Sequence, residues 1–281
     1  MTKRLLLLRV KLVRAVIVRS LVSLLVSLAI LSQGSYSHSV YAQATVEIIL
    51  PEMVSLPGGC FEMGTLLMDS RGNTPREVCL DAFAISAREV TIGEFKGFLR
   101  STGLPATSPA LEILAHELPV VNVTWFDAMA YAQWLSKFTG DQYSLPSEEQ
   151  WEYAAQAGNG PGTQFSWGNQ AGINQANCRD CGSQWANITV APVGSFPANA
   201  FGLHDMHGNA AEWTLGCFHE QDERVERRVN GERLSICRNA TVRGGSFRTS
   251  ANRSRVWQRA GHDSTTGADD IGFRVVRLSH D

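Results

Sequence analysis

Beyond Leu31 the sequence has no apolar run long enough to cross a membrane, so no second membrane-spanning helix is expected. It has no internal repeat and no low-complexity segment, which removes solenoids and flexible linkers from consideration. A basic surplus is missing too, since 25 Lys and Arg face 27 Asp and Glu. No Gly-x-Ser-x-Gly elbow surrounds Ser246, so that serine reads as a structural or cleft-lining hydroxyl rather than a hydrolase nucleophile. Cys178-Arg-Asp-Cys181 has no second Cys-x-x-Cys pair with which to build a zinc ribbon.

What is present begins with a leader. Lys3, Arg4, Arg9, Lys11, Arg14 and Arg19 precede Leu21–Leu31, which is apolar apart from Ser23 and Ser27. Val40-Tyr41-Ala42 then offers the small residues a signal peptidase reads, predicting cleavage after Ala42 and an exported, periplasmic or secreted protein. The alternative is an uncleaved anchor, in which Val13–Val18 extends the apolar stretch while Arg14 snorkels. Removing residues 1–42 leaves 281 − 42 = 239 residues, enough for one domain over 43–281. The leader takes six basic residues and no acid, so 25 − 6 = 19 basic residues then face 27 acidic ones, a formal charge of 19 − 27 = −8. That balance argues against nucleic acid as a partner, and no membrane contact is expected beyond the leader.

The six cysteines, Cys60, Cys79, Cys178, Cys181, Cys217 and Cys237, all lie in the exported part and predict disulfides. Six cysteines allow about 15 pairings, of which neighbour pairing is the simplest. For Cys178 and Cys181 a redox or metal motif is the rival reading. Three helices are announced by their caps: Thr91 with Glu94 and a stop at Gly103, Thr124 with Asp127 in the first turn and a stop at Gly140, and Ser147 with Gln150 before Gly158. In the second, Phe126, Ala130, Trp134 and Phe138 fall on one face. Short strands are expected at 53–56, 82–85, 240–243 and 272–277. Residues 159–239 show no sustained period of either kind.

Eight segments then appear in a fixed order: MVSLPGGCFEMGT, AREVTIGEF, LPVVNVTWFDAMAYAQWL, YSLPSEEQWEYAAQAG, FSWGN, APVGSFPANAFGLHDMHGNAAEW, VRGGSF and DDIGFRVVR. Together they resemble the formylglycine-generating enzyme family, the sulfatase-modifying-factor domain, over about Met53 to Arg277. The resemblance implies a single loop-rich α+β domain related to C-type lectins. It embraces copper oxidases that convert a sulfatase cysteine to formylglycine, domains of ergothioneine-pathway enzymes, periplasmic pyoverdine-maturation proteins and members without known chemistry.

The copper oxidases of this family carry cysteines three and eight residues after the serine of Gly-Gly-Ser. Here those positions are Thr249 and Ser254, whose hydroxyls cannot replace the soft thiolates that hold Cu(I). No copper is therefore expected. The surrounding run, Val242 to Arg259, holds five arginines. In one reading Arg243, Arg253, Arg255 and Arg259 pair with Asp263, Asp269, Asp270 and carbonyls to knit the carboxyl-terminal lobe. In the other, Arg248, Arg253 and Arg255 line a groove for an anionic or polypeptide ligand, with Arg248 the most exposed. Ser246, Arg248, Thr249 and Ser254 are the candidate cleft residues.

Asp205 and Glu212 are hard oxygen ligands flanking a turn that can present carbonyls, as calcium requires. The resemblance implies a calcium site of the Asp205 and Glu212 side chains with the Gly208 and Ala210 carbonyls. A second family site at Asn177 lacks its acid near Trp185. His204 and His207 are expected as surface turn histidines rather than metal ligands. Ala211 stands where the family often has an aromatic residue in the substrate cleft. Two functions follow from this. The first is a modifying or accessory protein acting oxidatively on a peptide or protein of the envelope without the copper dithiol. The second is a calcium-stiffened, lectin-like module that binds a peptide, glycan or protein without catalysis.

Overall fold

The computed structural model describes residues 48–65, 75–105, 110–160 and 162–278. The expected leader, 1–42, lies outside the described residues. Among the described residues there are four α-helices: α1 (Ile92–Thr102), a single turn α2 (Ala110–Ile113), α3 (Trp125–Thr139) and α4 (Glu148–Gln156). Each of the three expected caps is a reciprocal capping box; Thr91 Oγ1 accepts the Glu94 N–H at 3.2 Å while Glu94 Oε2 accepts the Thr91 N–H at 2.7 Å. Helices α1 and α3 end at left-handed Gly103 and Gly140 as expected. Helix α4 ends before Gly158 as expected, and its cap is Ala157, whose φ of 51° places an ordinary residue in the left-handed region. None of these helices is long and apolar enough to cross a membrane.

Helices α1 and α3 pack through an aromatic cluster in which Phe95 stacks on Tyr131 and Phe98 meets both Tyr131 and Trp134 edge-on or tilted. Burying each such ring is worth about 1.5–3 kcal/mol. Phe138 departs from its predicted face: it is half exposed and lies flat on Trp134 at 5.5 Å.

Two four-stranded sheets carry the rest. The first has the order β1 (Met53–Leu56), β4 (Phe83–Ser86), β12 (Val276–Leu278), β5 (Gln142–Ser144). The second has the order β10 (Arg259–Asp263), β9 (Asn239–Arg243), β6 (Ala211–Cys217), β11 (Ile271–Gly272), with β11 parallel to β6. The single strand expected at 272–277 is thus split. Ile271–Gly272 serves one sheet, Val276–Leu278 the other, and buried Phe273, Arg274 and Val275 cross between them. The crossing backbone is held by Val90 N–H to the Phe273 carbonyl and Ser86 N–H to the Val275 carbonyl, both at 2.9 Å.

Two hairpins stand apart, β2 (Gly59–Met63) with β3 (Arg76–Leu80), and β7 (Arg224–Val229) with β8 (Glu232–Cys237). The cysteines pair with their neighbours: Cys60–Cys79 in register across β2 and β3, Cys217–Cys237 from β6 to β8, and Cys178–Cys181 within one loop. No cysteine is free among the described residues. A bridge closing a loop of some 20 residues removes about 3 kcal/mol of chain entropy from the unfolded state.

Between α4 and β6 the chain is irregular, and asparagine amides replace the missing ladders. Asn199 Oδ1 accepts the N–H groups of Phe201 and Leu203, and Asn177 Nδ2 donates to the Thr189 carbonyl. Asn209 Oδ1 accepts the Ala191 N–H at 2.8 Å. Asn174, Asn187 and Asn209 also take positive φ, which asparagine tolerates.

Candidate functional site

After β9, Gly244 and Gly245 both turn through left-handed backbone, with φ of 85° and 71°. Gly245 has no room for a side chain. A Cβ there would collide with Ser254 Oγ and lie 2.8 Å from Thr249 Oγ1 and 3.0 Å from the Arg253 carbonyl. Thr249 and Ser254 therefore converge on one Cα. Thr249 Oγ1 accepts the Ser246 N–H at 2.8 Å and donates back to the Ser246 carbonyl. Ser254 Oγ is buried and has no hydrogen-bond partner, while the Ser254 carbonyl accepts His207 Nδ1–H at 2.7 Å.

Beside this turn lies a cleft of about 410 Å³, lined among others by Ser246, Thr249, Arg253, Gln258, His262 and Asp270. Ser246 itself is fully buried. Its hydroxyl donates to Asp270 Oδ2 at 2.7 Å and accepts the Arg248 N–H. A hydroxyl so enclosed is a structural tie, consistent with the absence of an elbow motif. Arg248 is exposed as expected, but forks onto Asp269 with two bonds of 2.6 Å and lies over the Phe247 ring.

The arginine run is knitted as the first reading anticipated, with different partners. Arg243 is buried and donates to Glu152, stacks on Trp151 and reaches the Val256 and Trp257 carbonyls. Arg259 forks onto Glu148, bonding Oε2 at 2.5 Å and Oε1 at 2.7 Å, and also reaches the Cys217 carbonyl. The acids come from α4, not from Asp263, Asp269 and Asp270. Asp263 pairs with Arg238 instead. Arg255 donates to Asn252. Arg253 is the exposed arginine at the cleft wall.

A second cluster is buried beneath the GLHDMHGNAAEW turn. Glu212 receives Arg274 through Nε at 2.7 Å and Nη2 at 2.8 Å, and the Trp151 Nε1–H at 2.6 Å. Arg274 also donates to the Ser86 and His204 carbonyls. Asp205, at a φ of 59°, accepts the Gly194 N–H on Oδ2 at 2.6 Å, and its Oδ1 is buried without a partner. Glu89 accepts the Ala210 N–H on Oε1 at 3.1 Å and the Asn209 amide on Oε2 at 3.2 Å. Glu89, Asp205, Glu212 and Arg274 are only 1%, 6%, 0% and 0% exposed. Burial, reinforced by the Asp205 and Glu212 charges, pushes the Glu89 carboxyl well above the usual range. Burial likewise raises Asp205, against its Gly194 bond and the Arg274 charge. Glu89, Asp205 and Glu212 do not bring three ligand atoms within 4.8 Å of one another. Gly208 cannot carry a side chain, since a Cβ there would strike the Asn177 carbonyl.

His207 corrects its expectation. It is buried, donates from Nδ1 to Ser254 and accepts the Ser166 N–H on Nε2 at 3.0 Å, and packs edge-on against Phe165 and Trp167. Both ring nitrogens are occupied, and burial lowers its pKa to about 4. His204 Nδ1 lies 2.8 Å from the Phe196 carbonyl. Asn177, at the second site implied by the family resemblance, spends its amide on Thr189, Asn209 and Ser183.

A model of the sulfatase-modifying factor enzyme 1-like domain matches residues 38–279. The chain belongs to this family. Among family relatives, "Inactive C-alpha-formylglycine-generating enzyme 2" of Mus musculus is 29% identical over 279 residues, covering 80% of this chain and 85% of that one. The formylglycine-generating enzyme of Mycobacterium tuberculosis is 27% identical over 81% of this chain and 98% of its own length. Among solved structures, PvdO from Pseudomonas aeruginosa is 32% identical with a TM-score of 0.64, covering 82% of this chain and 95% of that chain. In this family member the cleft residues that the sequence does not announce are Gln258, just before β10, and His262 on β10, with Glu89 before α1 in the buried cluster; Arg259 on β10 is announced only as a knitting arginine. The β10 residues reach the cleft only because β10 pairs beside β9, an order that no local pattern displays.

Proposed function

We propose that this protein is an exported member of the family that acts on a peptide or protein of the cell envelope without a copper dithiol, as an oxidative modifying enzyme or its accessory. The observation that supports this most is the pair of hydroxyls converging on Gly245 beside an open cleft. Hydroxyls are hard, weakly acidic donors and do not hold Cu(I). A cleft of this volume accommodates a few side chains of an extended segment, with Arg253, Gln258 and His262 as polar contacts. Export rests on the leader alone.

Calcium is part of the same proposal. Three buried carboxylates face one buried guanidinium, and such an excess is costly unless a cation or a proton compensates it. Asp205 Oδ1 is unpartnered, which fits a cation there. Glu212 Oε2 accepts two bonds and Oε1 one, leaving Oε1 a lone pair to share. Asp205 and Glu212, with the Gly208 and Ala210 carbonyls, would hold the ion, which would supply charge compensation and stiffen the turn.

The second reading is a binding module without catalysis. It is favoured by the enclosure of Ser246, which leaves the cleft without a serine nucleophile. One experiment separates the two. The protein is incubated in air with envelope peptides, and bound and free fractions are weighed by mass spectrometry. Multiple turnovers of an oxidative mass change support the modifying enzyme. Retention of unchanged peptides supports the binding module, and neither outcome overturns the cleft as the working site.

A further inference from the structure

Of the five arginines between Val242 and Arg259, four spend their guanidinium groups: Arg243 on Glu152, Arg248 on Asp269, Arg255 on Asn252 and Arg259 on Glu148. Arg253 is the exception. It stands exposed on the wall of the cleft, and among the described residues its guanidinium has no hydrogen-bond, ion-pair or ring partner. A guanidinium presents a planar fork of donors that a carboxylate meets with two parallel bonds.

The backbone that carries this fork is held in place. Arg253 N–H donates to the Ser250 carbonyl at 2.8 Å. The Cys178–Cys181 loop holds the same turn: Arg179 N–H donates to the Thr249 carbonyl and Asp180 Oδ1 accepts the Ala251 N–H, both at 2.8 Å. Buried Cys178, Cys181 and Ala251 belong to one apolar cluster. The Cys-x-x-Cys motif thus braces the cleft wall, and a charge fixed before binding loses less freedom on binding. Arg259 is neutralised by Glu148, so apart from His262 the charges that remain along the cleft are Arg253 and Asp270. Asp270 takes the Ser246 hydroxyl on Oδ2 at 2.7 Å and pairs with no cation among the described residues. An extended peptide supplies both complements, a carboxylate for Arg253 and a backbone N–H for the second oxygen of Asp270.

We infer that Arg253 is a specificity-determining residue that makes the cleft select polypeptide segments bearing a carboxylate, either an acidic side chain or a free chain end. The inference rests on the reading of the cleft as the working site. Its test incubates immobilised full-length protein with three synthetic pools of randomised peptides and quantifies the retained fractions by mass spectrometry. The first pool contains Asp and Glu and ends in an amide. The second replaces them by Asn and Gln and also ends in an amide. The third has Asn and Gln but a free carboxyl end. Retention of the first or the third over the second by about tenfold is expected, the favoured pool identifying the source of the carboxylate. Arg253→Gln should bring all pools to the level of the second, and Arg253→Lys should keep part of the preference. Ala260→Trp, at an exposed position lining the cleft, should abolish retention of every pool. Equal retention of the pools by wild type, or a preference unchanged in Arg253→Gln, overturns the role of Arg253 alone. So does a loss matched by an equal fall in melting temperature in both Arg253 variants, which would mark the arginine as structural. No retention of any pool by wild type, or retention that survives Ala260→Trp, overturns the cleft as the working site and this inference with it.

Discussion

Substituting Gly245 by alanine probes the convergence on which the cleft depends. The new methyl would collide with Ser254 Oγ and crowd Thr249 Oγ1 at 2.8 Å and the Arg253 carbonyl at 3.0 Å. Holding alanine at a φ of 71° costs about 1 kcal/mol, and overpacking a tight site costs about 1–3 kcal/mol more. The sum, about 2–4 kcal/mol, lowers the melting temperature by roughly 5–15 °C for a domain of this size. Ser254→Ala alone should be nearly neutral, because its hydroxyl bonds nothing. Combining it with Gly245→Ala should recover part of the loss, since the colliding atom is gone. Scanning calorimetry on the four proteins completes the cycle. A Gly245→Ala variant as stable as wild type would refute the convergence, as would additive effects of the two changes.

Further outcomes are expected. Thr249→Cys/Ser254→Cys, which restores sulfur at both converging positions, should acquire one tightly held Cu(I) ion, checked by competition with a chromogenic chelator. His207 is held near a pKa of 4 in the fold against about 6.5 unfolded, so the unfolded state binds the extra proton between those values. Its contribution is present above pH 6.5 and is lost as pH falls towards 4, by about 3 kcal/mol. Urea melts of wild type and His207→Gln should thus converge by that amount between pH 7.5 and 4. Glu89 acts in the opposite sense, because a raised carboxyl loses stability as pH rises, a loss that calcium should offset. Calcium should raise the melting temperature of wild type, by about 3 kcal/mol equivalent at a hundredfold excess over Kd, and should not raise that of Asp205→Ala.

Local signals made part of this fold legible. The boxes at Thr91, Thr124 and Ser147 are visible because a cap and its partner lie three residues apart. Neighbour pairing of the cysteines follows the same logic of short loops. The hairpin of β7 and β8 was hidden because RVERRV has charges on both faces and thus no alternation to read. Most of what holds the site was hidden by sequence distance. Arg243 finds Glu152, and Arg259 finds Glu148, across some ninety or more residues, so the nearer acids looked like the natural partners. His207 was misplaced because a turn sequence says nothing of the Phe165 and Trp167 rings that cover it. Thr249 and Ser254 were identified by position, but their meeting at Gly245 needed the backbone.

The central claim is met most directly by loading the purified protein with Cu(I) anaerobically, removing excess metal and measuring copper per chain. With all described cysteines in disulfides and hydroxyls at Thr249 and Ser254, retained copper should be far below one ion per chain. One ion per chain, surviving a chelator wash and lost in Thr249→Ala/Ser254→Ala, would contradict the account.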